Sequence, residues 1–384
     1  MLWYIVLIGL ILLDFGLECL LKYKNILTDE PNKSKLNRVL KFIFKYRLIT
    51  IISLVMFSTF KAFSVGMDMS EYRKFYRLWE TGELRLFVDT LGNKLELGYC
   101  ALNSILVLIG ADFRVLLFLI SLFVSISMVL FVNKLSSNKI MSVLLYVMLG
   151  TFAQSLSVLR QIIAVAFLML AIIKLIDKKW GWAIALILIA CTFHISAILC
   201  LVVVPLRFIK PKLWLVGGMF SIAIVGSIAF PYFLKLLERF TVLDFYTKYY
   251  IVYANLRGAS NLLNILYSVA IIVLFTVLYI ARFKWLKLDE KDIKIYDFFL
   301  LLFMFVPLFR IIGFIAEMPE LFNRFNMYFF IALMILIPLF VKGLKFNINL
   351  YKVANISVYI IAICYMIYLY AIKNTCGVYP FVFM

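Results

Sequence analysis

Apolar runs of about 17 to 25 residues, separated by short polar stretches, recur along the whole of this 384-residue chain, and each is long enough to cross a bilayer core as a helix. In lipid every backbone N–H and C=O must find its partner within the protein, which leaves only helices and closed barrels as spanning structures. A barrel would show roughly ten-residue segments of alternating polarity, and the runs here are continuous. The chain is therefore expected to be an all-α polytopic membrane protein with about 10–12 transmembrane helices. The first run, MLWYIVLIGLILLDFGLECLL, has neither a basic start nor a small-residue cleavage site, so it reads as a retained span and not a signal peptide. No internal repeat, Ser/Gly-rich linker or low-complexity tract marks a boundary, and residues 1–384 read as a single transmembrane domain.

The formal net charge of +19 is concentrated in 22–47, 133–139, 174–180, 207–212, 282–294 and 342–352. These stretches can all face one side, the cytoplasm by the positive-inside rule, and an anionic leaflet accounts for them without a nucleic-acid partner. Both termini then lie outside, together with two long loops, 66–99 and 230–261, whose mixture of charge and aromatics suggests amphipathic helices at the membrane surface. The region 97–132 is too long for one span, so a short or re-entrant helix near 97–111 should precede a full one. The run 182–205 either enters and leaves the membrane with His194 at its tip, or crosses once with RFIKPK outside. Six cysteines, at 19, 100, 191, 200, 364 and 376, show no CxxC or Cys/His spacing, so neither a disulfide framework nor a zinc site is expected.

Ionisable side chains at membrane depth are costly and tend to face a cavity or a partner. The only histidine, His194, lies in CTFHISA, inside an apolar run. It is either a neutral core imidazole satisfied by a carbonyl, or a proton acceptor or donor to an oxyanion. Arg160 and Gln161 interrupt a second run, SVLRQIIAVAF; snorkelling explains the arginine but not the shorter glutamine. In NKLELGYCALN, Glu96, Tyr99 and Asn103 fall on one helical stripe. Arg310, Glu317, Glu320, Arg324 and Tyr328 gather around another helix junction, as an interfacial ion-pair cluster or a binding site. Asp289, Glu290 and Asp292 sit in a basic loop and read as solvated charges. There is no GxxxxGK[ST] loop, GxSxG elbow, HExxH or outer DxD pair, so what stands out is one histidine, several arginines and a few carboxylates. Arginines suit a phosphate or pyrophosphate, whose oxygens match the guanidinium fork.

The motifs GMDMSEY (Gly66, Asp68, Tyr72, with Phe75 following), ELGYCALN, LRQIIA, FHISA, NRFNMYF and the terminal VYPFVF, in this order and spacing, resemble the EpsG/Wzy-type bacterial polysaccharide polymerases. The resemblance spans nearly the whole chain; ELGY stands where EPGY would be expected, which alters the helix start but keeps Glu96. It implies a GT-C-like enzyme of the bacterial inner membrane, working at the outer face. Such an enzyme transfers a glycan chain from undecaprenyl pyrophosphate to a hydroxyl of another lipid-linked repeat unit, with no nucleotide sugar, cofactor or metal. It also implies membrane lipid as a partner, and a chain-length regulator and flippase of the same pathway. His194, Glu96 and Asp68 are then rival bases. Arg160 and Arg324 clamp the pyrophosphate, Gln161 orients an oxygen, Arg310 is a third cation, and Tyr72 and Tyr99 complete the substrate-binding set. The rival reading is a lipid-oligosaccharide flippase or another transporter, which would usually show related halves and matching broken helices; neither is visible. A non-catalytic scaffold would leave Arg160, Gln161 and His194 without a use.

Overall fold

The computed structural model describes residues 1–23, 35–83, 96–237, 262–316, 318–374 and 376–383. The chain forms two compact units, Met1–Leu201 with Asn355–Met384, and Val202–Ala354. Neither division coincides with a linker-like composition. The first unit holds α1 (Leu2–Tyr23), α2 (Lys35–Lys45), α3 (Leu48–Thr59), α4 (Met69–Glu80), α5 (Leu97–Leu108), α6 (Phe113–Leu135), α7 (Lys139–Met148), α8 (Thr151–Ser155), α9 (Leu159–Ile176) and α10 (Trp180–Phe193), followed by a 3₁₀ turn, Ile195–Val202. The second holds α11 (Val203–Leu206), α12 (Leu213–Leu237), α13 (Leu262–Lys284), α14 (Glu290–Ile315), α15 (Pro319–Phe330) and α16 (Leu333–Gly343). Helix α17 (Ile348–Ile367) runs from the second unit into the first and ends in a π-helical turn, Tyr368–Ile372. No strand occurs among the described residues.

Seven of the described helices are long and apolar enough to span a bilayer: α1, α6, α9, α12, α13, α14 and α17 with its π turn. The pair α15 and α16, bent by 53°, would make an eighth. The chain is a multi-pass, all-α membrane protein. The remaining apolar runs, which the sequence presents as further crossings, fold as α3, α5, α7, α10 and the segment Ile195–Leu206. At 1.5 Å per residue such helices reach only about 15–25 Å, short of the hydrocarbon thickness. Helices α6, α9 and α14 are buried along most of their length, whereas α12, α13 and α17 keep most of their apolar side chains outward, as lipid-facing helices do.

Local chemistry sets the helix starts. Asp112 accepts from the Val115 amide at 3.0 Å and opens α6, Asn138 accepts from Met141 at 3.2 Å and opens α7, and Asp289 accepts from Asp292 at 2.8 Å and opens α14. Each satisfies one of the orphan amides of a first helical turn. Gly110, at φ 70°, ends α5, so the 97–132 region divides as expected into a short helix and a full one. Helix α1 buries Tyr4, Leu7, Ile11, Asp14 and Phe15, one stripe at helical spacing. Asp14 on that stripe accepts from the Thr50 hydroxyl at 2.6 Å and the Thr50 amide at 3.2 Å. One turn on, Glu18 pairs with Arg47 at 2.5 Å.

The run 182–205 is not one continuous helix, for it breaks at His194, whose backbone is extended (φ −156°, ψ 113°). Of the two long loops expected on the outside, the first contains α4, an amphipathic helix with Met69, Tyr72, Tyr76 and Trp79 buried; residues 84–95 lie outside the described residues. The second begins later than expected, because α12 continues through position 230 to Leu237; residues 238–261 are outside the description, as is Glu317. The acidic cluster is not simply solvated. Asp289 caps α14, Glu290 pairs with Lys294 at 2.5 Å, and Asp292, only 9% exposed, is ion-paired with Lys342. All six cysteines are free thiols.

The terminal VYPFVF has a structural task that its sequence does not announce. The Tyr4 hydroxyl donates to the Val378 carbonyl at 2.8 Å, and the Ala62 amide donates to Val382 at 2.7 Å. The Gly66 and Met67 amides donate to Gly377 and Cys376 at 2.8 and 2.9 Å. Gly66, at φ 110°, is required here, since a Cβ would lie 2.3 Å from the Leu156 carbonyl oxygen. The tail thus fixes segment 60–68, which delivers Asp68 and the start of α4.

Candidate active site

Three helix ends of the first unit carry the polar residues into one place. Glu96 is the N-cap of α5, Arg160 is in the first turn of α9, and His194 follows the last residue of α10. Close packing of α5 on α10 makes this convergence geometrically possible. A Cβ on Gly98 would stand 2.3 Å from the Thr192 hydroxyl oxygen and 2.9 Å from its carbonyl, so only glycine lets the helices approach to this distance. The Gly of ELGY therefore sets the helix contact, and Leu97 takes the place of the expected proline without moving Glu96 from the cap.

Glu96 is the hub. Its Oε2 accepts from Arg160 Nη1 at 2.5 Å, and its Oε1 lies 3.0 Å from His194 Nδ1 and 3.4 Å from the Ile195 amide nitrogen. Burial alone would raise its carboxyl, but the hydrogen bond with His194 and the charge of Arg160 outweigh that and hold it down at about 2. An ionised carboxylate only accepts, so His194 Nδ1 carries the proton of this bond. The cap position adds the favourable field of the α5 N-terminus. The side chains of Glu96, His194 and Arg160 are 9%, 17% and 24% exposed, shielded yet reachable.

The Tyr72 hydroxyl on α4 lies near enough to Arg160 for the guanidinium charge to act on its phenol. Tyr72 meets Tyr99 edge to face, with ring centroids 5.8 Å apart. Both rings are buried and brace the guanidinium from the α4 and α5 sides. Arg160 Nε and the Tyr99 hydroxyl are buried without a hydrogen-bond partner among the described residues. A buried donor left open beside a fixed guanidinium is suited to an oxygen that is brought in from outside.

Of the nine residues singled out by sequence, Glu96, Arg160, His194, Tyr72 and Tyr99 form one cluster. Asp68 stands at the start of α4, where its charge is felt by the Tyr72 phenol. Gln161, beside Arg160 but a third of a turn away, is only 3% exposed and faces the packed side of α9. Asn103 continues the Glu96 and Tyr99 stripe, but its amide nitrogen is spent on the Tyr99 carbonyl at 2.6 Å. Arg310 and Arg324 belong to the second unit. There Arg310, on α14, lies 4.1 Å from the Tyr267 ring centre beside a small hollow lined by Asn264, Ser268 and Gly313. Arg324 is half-buried on α15, whose Phe322 and Phe325 pack with Phe309 and Phe230. Sequence reasoning missed Gly98 and the tail as positioning elements, and their signal was the glycine two residues after Glu96 and the aromatic-rich terminal VYPFVF.

Among the described residues no group of three or more His, Cys, Asp or Glu side chains converges as a metal site would require. A polytopic helical membrane protein with a carboxylate, an imidazole and a guanidinium gathered at three helix ends is suited to acid–base and anion chemistry. The family model described as EpsG family matches residues 44–383, and the chain belongs to that family. Membership supports a function of the polysaccharide-polymerase type. No curated protein and no solved structure matches the chain.

Proposed function

We propose that this protein polymerises lipid-linked glycan repeat units at the outer face of the bacterial cytoplasmic membrane, with undecaprenyl pyrophosphate as the leaving group. The bond between the anomeric carbon of the donor glycan and the pyrophosphate oxygen breaks, and a bond from that carbon to an acceptor hydroxyl oxygen forms. The hydroxyl proton passes to a base, and the pyrophosphate departs with its electron pair. The observation that carries this reading is the Arg160–Glu96–His194 arrangement.

With both its oxygens engaged and its carboxyl held near 2, Glu96 is a poor general base, because a base works best near the ambient pH. Its role is to orient His194, as the carboxylate does in a Ser–His–Asp triad. Nδ1–H faces Glu96, so Nε2 is left as the proton acceptor for the attacking hydroxyl. Arg160, anchored by Glu96, meets the pyrophosphate oxygens with its remaining donors. Asp68 acts on this site through its charge, which the Tyr72 phenol feels. The chemistry supplied by these side chains needs no metal, and activity should persist in chelator.

The test is to measure donor binding and polymer formation separately on equal amounts of folded His194→Ala and His194→Gln. Both variants should lose turnover by about 10²–10⁴-fold while still binding lipid-linked donor. Unchanged rate and polymer length in His194→Ala would remove the imidazole from the mechanism.

A further inference from the structure

Helix α4 has two working faces. Its inner face holds Tyr72 against Arg160, the Tyr76 hydroxyl donating to the Ala111 carbonyl at 2.7 Å, and the Trp79 indole donating to the Ser104 hydroxyl at 3.1 Å. The adjoining face, with Ser70, Arg73, Lys74 and Arg77, lines an open groove of about 490 Å³ together with Phe63 and Glu83. Helix stability alone does not favour this pattern, because Arg73 and Arg77 stand four residues apart, where like charges repel. Among the described residues no carboxylate forms a salt bridge with any of the three cations. Arg73 is nevertheless held in place, its guanidinium carbon 4.1 Å from the Phe63 ring centre. The same ring carries Arg114 at 4.6 Å, and Arg114 is tied to the Thr59 carbonyl at 2.5 Å. A stacked guanidinium keeps its in-plane donors available, so the groove presents a pre-set cationic surface.

Polymerisation requires two lipid-linked molecules at once, and the acceptor carries a pyrophosphate just as the donor does. In the acceptor, however, the reacting hydroxyl is at the far end of the glycan from its own pyrophosphate. Its phosphates must therefore sit apart from the leaving group, by the reach of a repeat unit. Helix α4 sets the two anion-binding groups apart, with Tyr72 on its inner face toward Arg160 and Arg73 and Arg77 on the adjoining face that opens to the groove. The groove is also of the size that takes a drug-sized ligand, enough for a pyrophosphate with its first sugar.

We propose that the groove on α4 binds the pyrophosphate of the acceptor, the second lipid-linked substrate, through Arg73, Lys74 and Arg77. This rests on the polymerase reading above. It assigns two anion sites to the first unit: Arg160 for the leaving pyrophosphate, and the α4 groove for the one that stays attached to the product.

The full chain in phosphatidylcholine nanodiscs would be titrated with undecaprenyl pyrophosphate and, separately, assayed for polymer from a lipid-linked repeat unit. Wild type should bind two molecules per chain. Arg77→Gln and Arg73→Gln/Arg77→Gln should lose the second site and raise the apparent KM for the incoming unit roughly tenfold or more. Arg77 is exposed and makes no ring contact among the described residues, so the single variant keeps the test valid if the loss of Arg73 from Phe63 disturbs folding. A single site that is insensitive to Arg77→Gln, or wild-type KM in the double variant, would overturn the proposal. So would full competition by phosphatidylglycerol nanodiscs, which would make α4 an ordinary lipid-headgroup anchor. If wild type forms no polymer, the polymerase reading falls, and the groove is then judged on binding stoichiometry alone.

Discussion

Glu96 lies 64 residues from Arg160 and 98 from His194, yet its two oxygens meet both. A carboxylate in that position is a structural and chemical hinge, and its titration gives a direct check. Its folded value, about 2, lies below the roughly 4.3 of an unperturbed glutamate. The stability it contributes is therefore complete above about pH 4.3 and is lost as pH falls toward 2. In thermal-denaturation scans the gap between wild type and Glu96→Gln should be on the order of 2 kcal/mol and stay constant from about pH 8 to pH 5, then narrow in more acid solution. A gap that already closes between pH 8 and pH 6 would mean that the carboxylate is not held as described. The same pairing explains why sequence alone left three bases in competition. The oxygens of Glu96 are committed by partners far away in the chain, and no local spacing records that.

At the scale of elements, the site exists because short helices end where long ones would continue. The short α5 before α6 was legible, for Gly110 and the capping Asp112 punctuate an over-long apolar run. The break at His194 was not decidable, because 182–204 contains neither glycine nor proline and reads equally well as one helix. What marks the break is tertiary, namely the Glu96 carboxylate facing the His194 ring and the Ile195 amide. Gly98 is the position on which the helix contact turns. Gly98→Val would drive a side chain into Thr192 and should cost about 1–3 kcal/mol. It should also separate Glu96 from His194, with turnover falling at least as far as in the His194 variants and donor binding weakened. Normal turnover in folded Gly98→Val would show that the close approach of α5 and α10 is not needed.

For the whole molecule, the fold class was legible from run length and the forced choice of helix in lipid, and five of the nine candidate residues meet in one cluster. The division into two units was not, since no change in composition marks positions 201 or 354. The basic loops predict the orientation, with those loops on the cytoplasmic side. A cysteine placed at Asn138 or Lys287 should resist an impermeant thiol reagent in intact cells, and one at Glu83 should react; labelling of Lys287 from outside would reverse the account. The central claim is that Arg160, Glu96 and His194 transfer glycan from a lipid pyrophosphate. It is tested most directly by incubating purified protein with a lipid-linked repeat unit and resolving the products by size. Wild type should give a ladder of lengthening glycans with release of undecaprenyl pyrophosphate. Arg160→Lys, which keeps the charge but not the planar fork, should lose most of it at equal protein. A ladder of wild-type length and rate from Arg160→Lys, or none from the folded wild-type enzyme, would contradict the claim.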